Sequence, residues 1–211
     1  MIINKVDQNV PYIIKNNFRL LFSKTKNNSY DQNIKQWIKS KKIISLKRGI
    51  YIFSSYWEKC QRRDDYLNFL SQVIYYPSYI SKETILFKNQ MISESVYGIS
   101  CISMKAPKTF SSEIGIFQYS KIKPSLFLGF EKRSYIENKY YVATKAKALF
   151  DYLYFYKRKL VRINEKSIEE LRLNFSEMND HDWIEFESYL KIAKSLKLDK
   201  MYKIIRKIYA Q

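Results

Sequence analysis

Apolar positions in the first part of the chain follow a helical spacing and then switch to a run that reads as strand. Ile13, Ile14, Phe18, Leu21 and Phe22 recur near one or two helical turns, the stripe of a core-facing helix. Lys24 to Asn28 is polar and reads as a turn, after which Ser29 or Asp31 can cap a second helix. That helix buries Ile34, Trp37 and Ile38, spaced i, i+3 and i+4. Ile43-Ile44-Ser45-Leu46 then reads as a strand, Lys47-Arg48-Gly49 as a tight turn and Ile50-Tyr51-Ile52-Phe53 as the returning strand. Helix, turn, helix and basic hairpin, in that order, predict a winged helix-turn-helix.

The charged stretch Trp57–Asp65 marks a boundary, without the Gly/Ser composition of a flexible linker. The expected organisation is a winged segment over residues 1–57 and a second α+β unit over 58–211. In the second unit, Leu67, Leu70 and Ile74 share one helix face ahead of Pro77, and Ser81 opens a helix carrying Ile85 and Leu86. Short β-branched and aromatic runs follow at Ile99–Met104, Gly115–Tyr119, Leu126–Phe130 and Tyr140–Ala143, predicting a small, mainly antiparallel sheet. Helical spacing returns at Thr144, with Ala148, Leu149 and Tyr152 on the buried face. Ser167-Ile168-Glu169-Glu170 and Asp182-Trp183-Ile184-Glu185 fit capping boxes. Trp183, Phe186, Leu190 and Ala193 stripe one later helix, and Leu198, Met201, Tyr202, Ile205 and Ile208 the last. The fold class is α+β.

Charge adds direction to this picture. Lys and Arg number 38 against 20 acids, a formal net charge of +18. Residues 1–57 hold 11 of these bases against 2 acids, so half of the excess sits in about a quarter of the chain. Such an excess suits a polyanion, most often nucleic acid, although an A/T-rich codon supply also enriches Lys. On the predicted second helix, Gln32, Asn33, Lys35, Gln36 and Lys39 stand opposite the buried stripe. Asn and Gln can pair with adenine, and lysines neutralise phosphates or reach guanine. Lys41, Lys42, Lys47 and Arg48 continue the positive stripe onto the hairpin. These nine residues are the candidate double-stranded DNA contacts, against the plainer reading of a solvated polar face.

Signals for other chemistry are weak. The one histidine, His181, lies just before a helix, and Cys60 and Cys101 stand 41 positions apart outside any CxxC pattern. Asp64-Asp65 and Glu169-Glu170 are adjacent pairs whose side chains diverge, which suits helix starts better than acid–base work. No phosphate-cradling glycine motif is present, and no metal, cofactor or catalytic residue is expected. A metal-dependent nuclease using scattered carboxylates stays open as an alternative. The aromatic run Tyr152–Tyr156 beside Lys157, Arg158 and Lys159 reads as core with snorkelling lysines, or as a stacking platform for single strands. The basic last helix reads as docked, or as lying on a membrane or in a partner groove. No apolar run reaches bilayer length and no secretory h-region opens the chain, so a cytoplasmic address and no membrane partner are expected.

Six segments in one order resemble a known family. Tyr76-Pro77-Ser78-Tyr79-Ile80-Ser81 followed by Glu83-Thr84-Ile85-Leu86, Ser103 to Phe110, Gly115-Ile116-Phe117-Gln118-Tyr119, Phe127-Leu128-Gly129, Ala143 to Asp151 and Glu169 to Phe175 are similar to segments of AbiEi-family antitoxins of bacterial abortive-infection, type IV toxin–antitoxin systems. Lys47-Arg48-Gly49-Ile50-Tyr51 extends the resemblance into the winged segment, so it covers most of the chain. Lys145-Ala146 stands where the family has Pro-Glu, and Thr84-Ile85 where it has Ser-Ala. The resemblance implies a winged helix that represses its own operon at inverted repeats. It also implies a C-terminal unit that counteracts a nucleotidyltransferase-like toxin, with or without a stable complex, and no catalysis by the antitoxin itself. The alternative is an interaction protein acting through the C-terminal unit, its winged segment vestigial.

Overall fold

Alternation along the hairpin decides how the N-terminal part joins the rest. The computed structural model describes residues 7–17 and 27–209, excluding the side chains of 27–30. Strand β1 (Ile13–Ile14) pairs antiparallel with β3 (Ile50–Phe53), which pairs with β2 (Ile43–Lys47), giving the order β1-β3-β2. Ile43, Tyr51 and Phe53 turn to one side and pack with Ile13 and with Ile34 and Trp37 of helix α1 (Asn27–Lys39). Ile44, Leu46, Ile50 and Ile52 turn to the other side and enter the main core. The period of two thus sandwiches the sheet between α1 and the body of the protein, and β3 buries all four of its residues. Helix α2 (Ser54–Lys59) follows β3 directly, so a helix crosses the predicted boundary and packing is continuous across it.

Several N-terminal expectations change. Ile13 and Ile14 form a strand, because Ile50 and Tyr51 offer them a ladder; residues 15–17 are helical, and Phe18, Leu21 and Phe22 lie outside the described residues. Helix α1 begins by Asn27, which puts Ser29 and Asp31 inside it rather than at its cap, and Asn27 and Asn28 in helix rather than turn.

The main sheet has the order β6-β7-β5-β4-β9-β8, from strands β4 (Ser78–Ile80), β5 (Ile99–Ser103), β6 (Lys108–Ser112), β7 (Gly115–Lys121), β8 (Phe130–Tyr135) and β9 (Asn138–Ala143). Three pairings are antiparallel and two, β5 with β7 and β4 with β9, are parallel. Directly opposed residues share a face. Ile80, Cys101, Tyr119 and Val142 therefore look toward helix α3 (Arg63–Ile74), where the Tyr119 hydroxyl donates to the Ser71 carbonyl. Tyr79 and Ile102 look the opposite way, toward helix α5 (Lys145–Tyr156). Covered on both faces, β4 is buried along its whole length, whereas β7 alternates and β8 is mostly exposed. Helix α4 (Glu83–Lys88) and helix α7 (Asp180–Ala193) pack against α5, and α6 (Glu165–Glu169) packs against α8 (Leu196–Tyr209).

Leu126–Phe130 is not a strand. Pro124 opens a 3-10 turn over Pro124–Leu126, and Gly129 takes φ +77°, so pairing begins only at Phe130. Both capping boxes exist one turn earlier than predicted. Asn164 caps α6 with Ser167 as its reciprocal partner, and Asn179 caps α7 with Asp182. At Gly129 a Cβ would run into the Tyr189 hydroxyl and Lys147 Cγ. Gly129→Ala therefore combines crowding with positive φ and is expected to destabilise by about 2–4 kcal/mol, read from the urea midpoint at unchanged slope.

Candidate nucleic-acid interface

Anchoring of α1 through Ile34 and Trp37 determines what its other face presents. Gln32, Lys35, Gln36 and Lys39 are exposed, and Asn33 is half-buried at the margin. The helix ends where Lys41 turns to φ +53°, its amide donating to Ile38 O at 3.0 Å, and the Lys42 amide returns to Trp37 O at 2.9 Å. Lys41 is exposed beyond that end; Lys42 is half-buried. The start of the helical face is braced by Lys15, whose Nζ lies 2.6 Å from Asp31. Four side chains able to reach bases or phosphates thus stand on one rigid, backed surface, with Lys41 beyond its C-terminal end.

The hairpin divides its two cations. Arg48 is exposed at the tip, where Gly49 supplies φ +88° and its carbonyl accepts from the Lys15 amide at 2.8 Å. Lys47 folds back onto the body instead. Its Nζ donates to Ile74 O at the end of α3, 2.5 Å away, and lies 5.8 Å from the centre of the Phe110 ring. Burial lowers its pKa below the ordinary lysine value, and the nearby Lys105 and Lys108 lower it further. Lys108 stands 5.2 Å from the same ring, and Lys105 stands 5.4 Å from the ring of Tyr75. Neither Lys105 nor Lys108 is among the nine sequence candidates. Both fall in a stretch that reads as a separator around Pro107, and only the pairing of β6 with β7 and its packing on β2 brings them beside the hairpin.

Three of the family-like segments meet at a different place, inside the main core. Lys147 and Asp151, i and i+4 on α5, form an ion pair of 2.5 Å with neither side chain exposed. Asp151 also accepts from the Tyr79 hydroxyl at 3.0 Å and from Ser81 Oγ at 2.8 Å. The Lys147 ammonium lies 4.9 Å from the Phe150 ring and 5.3 Å from that of Tyr189. Tyr79 packs against Phe127 at 5.1 Å, and Gly129 leaves room for Lys147 and Tyr189. Two further segments meet beside the hairpin instead, where Phe110 touches Tyr119 edge-on at 5.8 Å, and Ser103 Oγ donates to Pro77 O at 2.7 Å. Burial holds the Asp151 pKa above the usual carboxylate value despite Lys147, Ser81 and Tyr79, and lowers that of Lys147 despite Asp151. In the sequence this pair shows as an i, i+4 Lys–Asp spacing within an apolar stretch and as part of the family-like segment Ala143 to Asp151. Where the family has Pro-Glu, Ala146 is fully buried and Lys145 reaches Asp182 at 2.7 Å, so an ion pair does form from this turn.

The residues weighed for catalysis are dispersed. Cys101 is buried and its thiol is pushed up to about 12, which leaves no thiolate at neutral pH; Cys60 lies 3.4 Å from the Tyr135 hydroxyl. Asp65 is held by Arg62 at 2.6 Å and Tyr140 at 3.1 Å, while Asp64, Glu169, Glu170 and His181 are exposed. A groove of about 550 Å³ passes His181; along it Lys145 pairs with Asp182 and Arg133 with Glu131, and Glu185 accepts from Thr144, while Lys88 also lines it. Among the described residues no group of three or more His, Cys, Asp or Glu side chains could hold a metal ion, and no helix is long and apolar enough to cross a membrane. Tyr152, Tyr154, Phe155 and Tyr156 are half-buried, with Lys157 4.2 Å from the Tyr154 ring and Lys82 5.6 Å from that of Phe155.

No protein-family model matches the chain, and no curated protein is significantly similar to it.

Proposed function

We propose that this protein is a DNA-binding antitoxin of a type IV toxin–antitoxin, abortive-infection system. In this reading it represses its own operon and counteracts a nucleotidyltransferase-like toxin. The observation that carries the DNA-binding part is the α1 surface: Gln32, Lys35, Gln36 and Lys39 exposed on a helix whose opposite face is fixed by Ile34 and Trp37. Helix α1 enters the major groove, Asn33, Gln32 and Gln36 meet base edges, and Lys35, Lys39, Lys41 and Arg48 meet phosphates. Lys42 and Lys47 support this surface from its margins.

The antitoxin part rests on the resemblance. The residues that carry it, Tyr79, Ser81, Phe127, Gly129, Lys147 and Asp151, pack around the buried Lys147–Asp151 pair. The protein acts in the cytoplasm, without a cofactor or catalysis of its own. A reporter driven by the protein's own upstream DNA is repressed by the parent and derepressed by Lys35→Glu with Lys39→Glu. The same variant still rescues growth when the neighbouring toxin gene is expressed. Equal repression by parent and variant would remove α1 from the function.

One feature favours a second reading, an interaction protein. A groove of about 500 Å³ runs past Leu67, Phe87, Ile99 and Ile116, and Phe87 and Ile116 are 44% and 39% exposed. Co-purification of the neighbouring gene product, lost on Phe87→Asp with Ile116→Asp and unaffected by the α1 variant, favours that reading.

A further inference from the structure

We propose that the DNA-binding surface does not end at the hairpin: Lys105 and Lys108, from the C-terminal half, join Lys47 and Arg48 in one phosphate-binding strip for the DNA backbone. This rests on the reading that the protein binds DNA. The juxtaposition comes from β2 packing against β6. Lys47 from β2 and Lys108 from β6 each put an ammonium within 6 Å of the centre of the Phe110 ring. Lys105 covers Tyr75, whose ring lies 5.8 Å from that of Phe110. Three cations thus gather round two neighbouring rings.

Among the described residues, no carboxylate comes within 4.0 Å of any of the three, although the chain pairs Lys145, Lys147 and Lys207 with acids elsewhere. Like charges brought together without an acid repel; burial lowers the pKa of Lys47 first, and Lys105 and Lys108 lower it further. A local role explains part of the cluster. Lys47 donates to Ile74 O and Lys105 to Tyr76 O, at and just beyond the C-terminal end of α3, where cations are favoured. It does not explain Lys108, which is exposed and whose ammonium has no carbonyl acceptor among the described residues. Each bonded ammonium keeps two further donors. A phosphate backbone running off Arg48 supplies the missing negative charge. A lipid surface fits less well, because Tyr75 and Phe110 are half-buried and lie beneath the ammoniums instead of projecting past them.

Phosphate contacts are independent of sequence, so a mixed-sequence duplex is a sufficient probe. Binding of full-length protein is followed by fluorescence anisotropy between about 50 and about 200 mM salt. Lys105→Gln with Lys108→Gln lowers the salt slope by about 2, since each contact contributes about 0.9, and weakens binding by tens of fold near 100 mM. A charge-matched control, Lys191→Gln with Lys203→Gln, keeps the parent slope, as does Lys105→Arg with Lys108→Arg. An unchanged slope in the Lys105/Lys108 glutamine variant, with the Lys35/Lys39 variant still impaired, overturns the inference and leaves the DNA reading intact. An equal loss in the control, or in the arginine pair, overturns it too, as an effect of net charge or of local structure. If the parent shows no salt-dependent binding, the DNA reading falls and this inference with it.

Discussion

Replacing Asp151 by Ala is expected to destabilise the protein by about 3–5 kcal/mol, because it strands the Lys147 ammonium in the core without its partner. The loss also removes the acceptor of the Tyr79 and Ser81 hydroxyls, two buried donors. The pair itself is not a source of stability. Burial raises the pKa of Asp151 and lowers that of Lys147, so both groups are shifted toward their neutral forms. For an acid whose folded value is raised, the favourable contribution is complete below the ordinary value near 3.8 and is lost as pH rises through the folded value. For a lysine whose folded value is lowered, the contribution is complete above the ordinary value near 10.5 and is lost as pH falls through the folded value. At neutral pH both therefore cost folding energy relative to uncharged side chains. It follows that Lys147→Met with Asp151→Asn, which strands no charge and keeps an acceptor for both hydroxyls, loses less than Asp151→Ala alone. Urea unfolding of the three proteins at pH 7 checks the order. A loss below about 1 kcal/mol for Asp151→Ala would mean that the pair is not buried.

The second large effect concerns DNA. Reversing Lys35 and Lys39 to Glu should weaken binding by a hundredfold or more near 100 mM salt and reduce the salt slope by about 2, since each phosphate contact contributes about 0.9. Both side chains are exposed and neither supports the small core of Ile13, Ile34, Trp37, Ile43, Tyr51 and Phe53, so the unfolding midpoint should stay near that of the parent. Gln36→Ala should act differently. Loss of a bidentate contact costs about 1–3 kcal/mol of discrimination at one base pair and leaves the salt slope alone. Competition between the upstream duplex and single-base variants separates the two effects.

Much of this architecture was legible because the apolar spacing is carried by residues that do become core: Ile34 and Trp37 on α1, Leu70 and Ile74 on α3, and Trp183, Phe186 and Leu190 on α7. What was not legible depended on partners distant in sequence. Ile13-Ile14 is too short to show a period, and its strand exists because β3 lies beside it. Strand β8, Phe130-Glu131-Lys132-Arg133-Ser134-Tyr135, is largely polar and exposed, as a sheet edge should be, and its ladder with β9 makes it a strand. The capping boxes were displaced by one turn because Asn164 and Asn179 cap as well as Ser or Asp does. At the candidate interface, the helix face followed from Ile34 and Trp37 alone. The orientation of Lys47 could not, since its carbonyl partner Ile74 lies 27 residues further on and its ring partner Phe110 further still.

Whether the exposed face of α1 reads DNA is decided by a gel shift of the full-length protein on its own upstream duplex, over rising salt and against scrambled competitor. The expected result is retardation of the upstream duplex that scrambled DNA does not displace, that weakens steeply with salt, and that the Lys35→Glu, Lys39→Glu protein has lost. Absent binding, or equal binding to scrambled DNA, would contradict it and would mean that the +18 charge reflects composition instead of recognition.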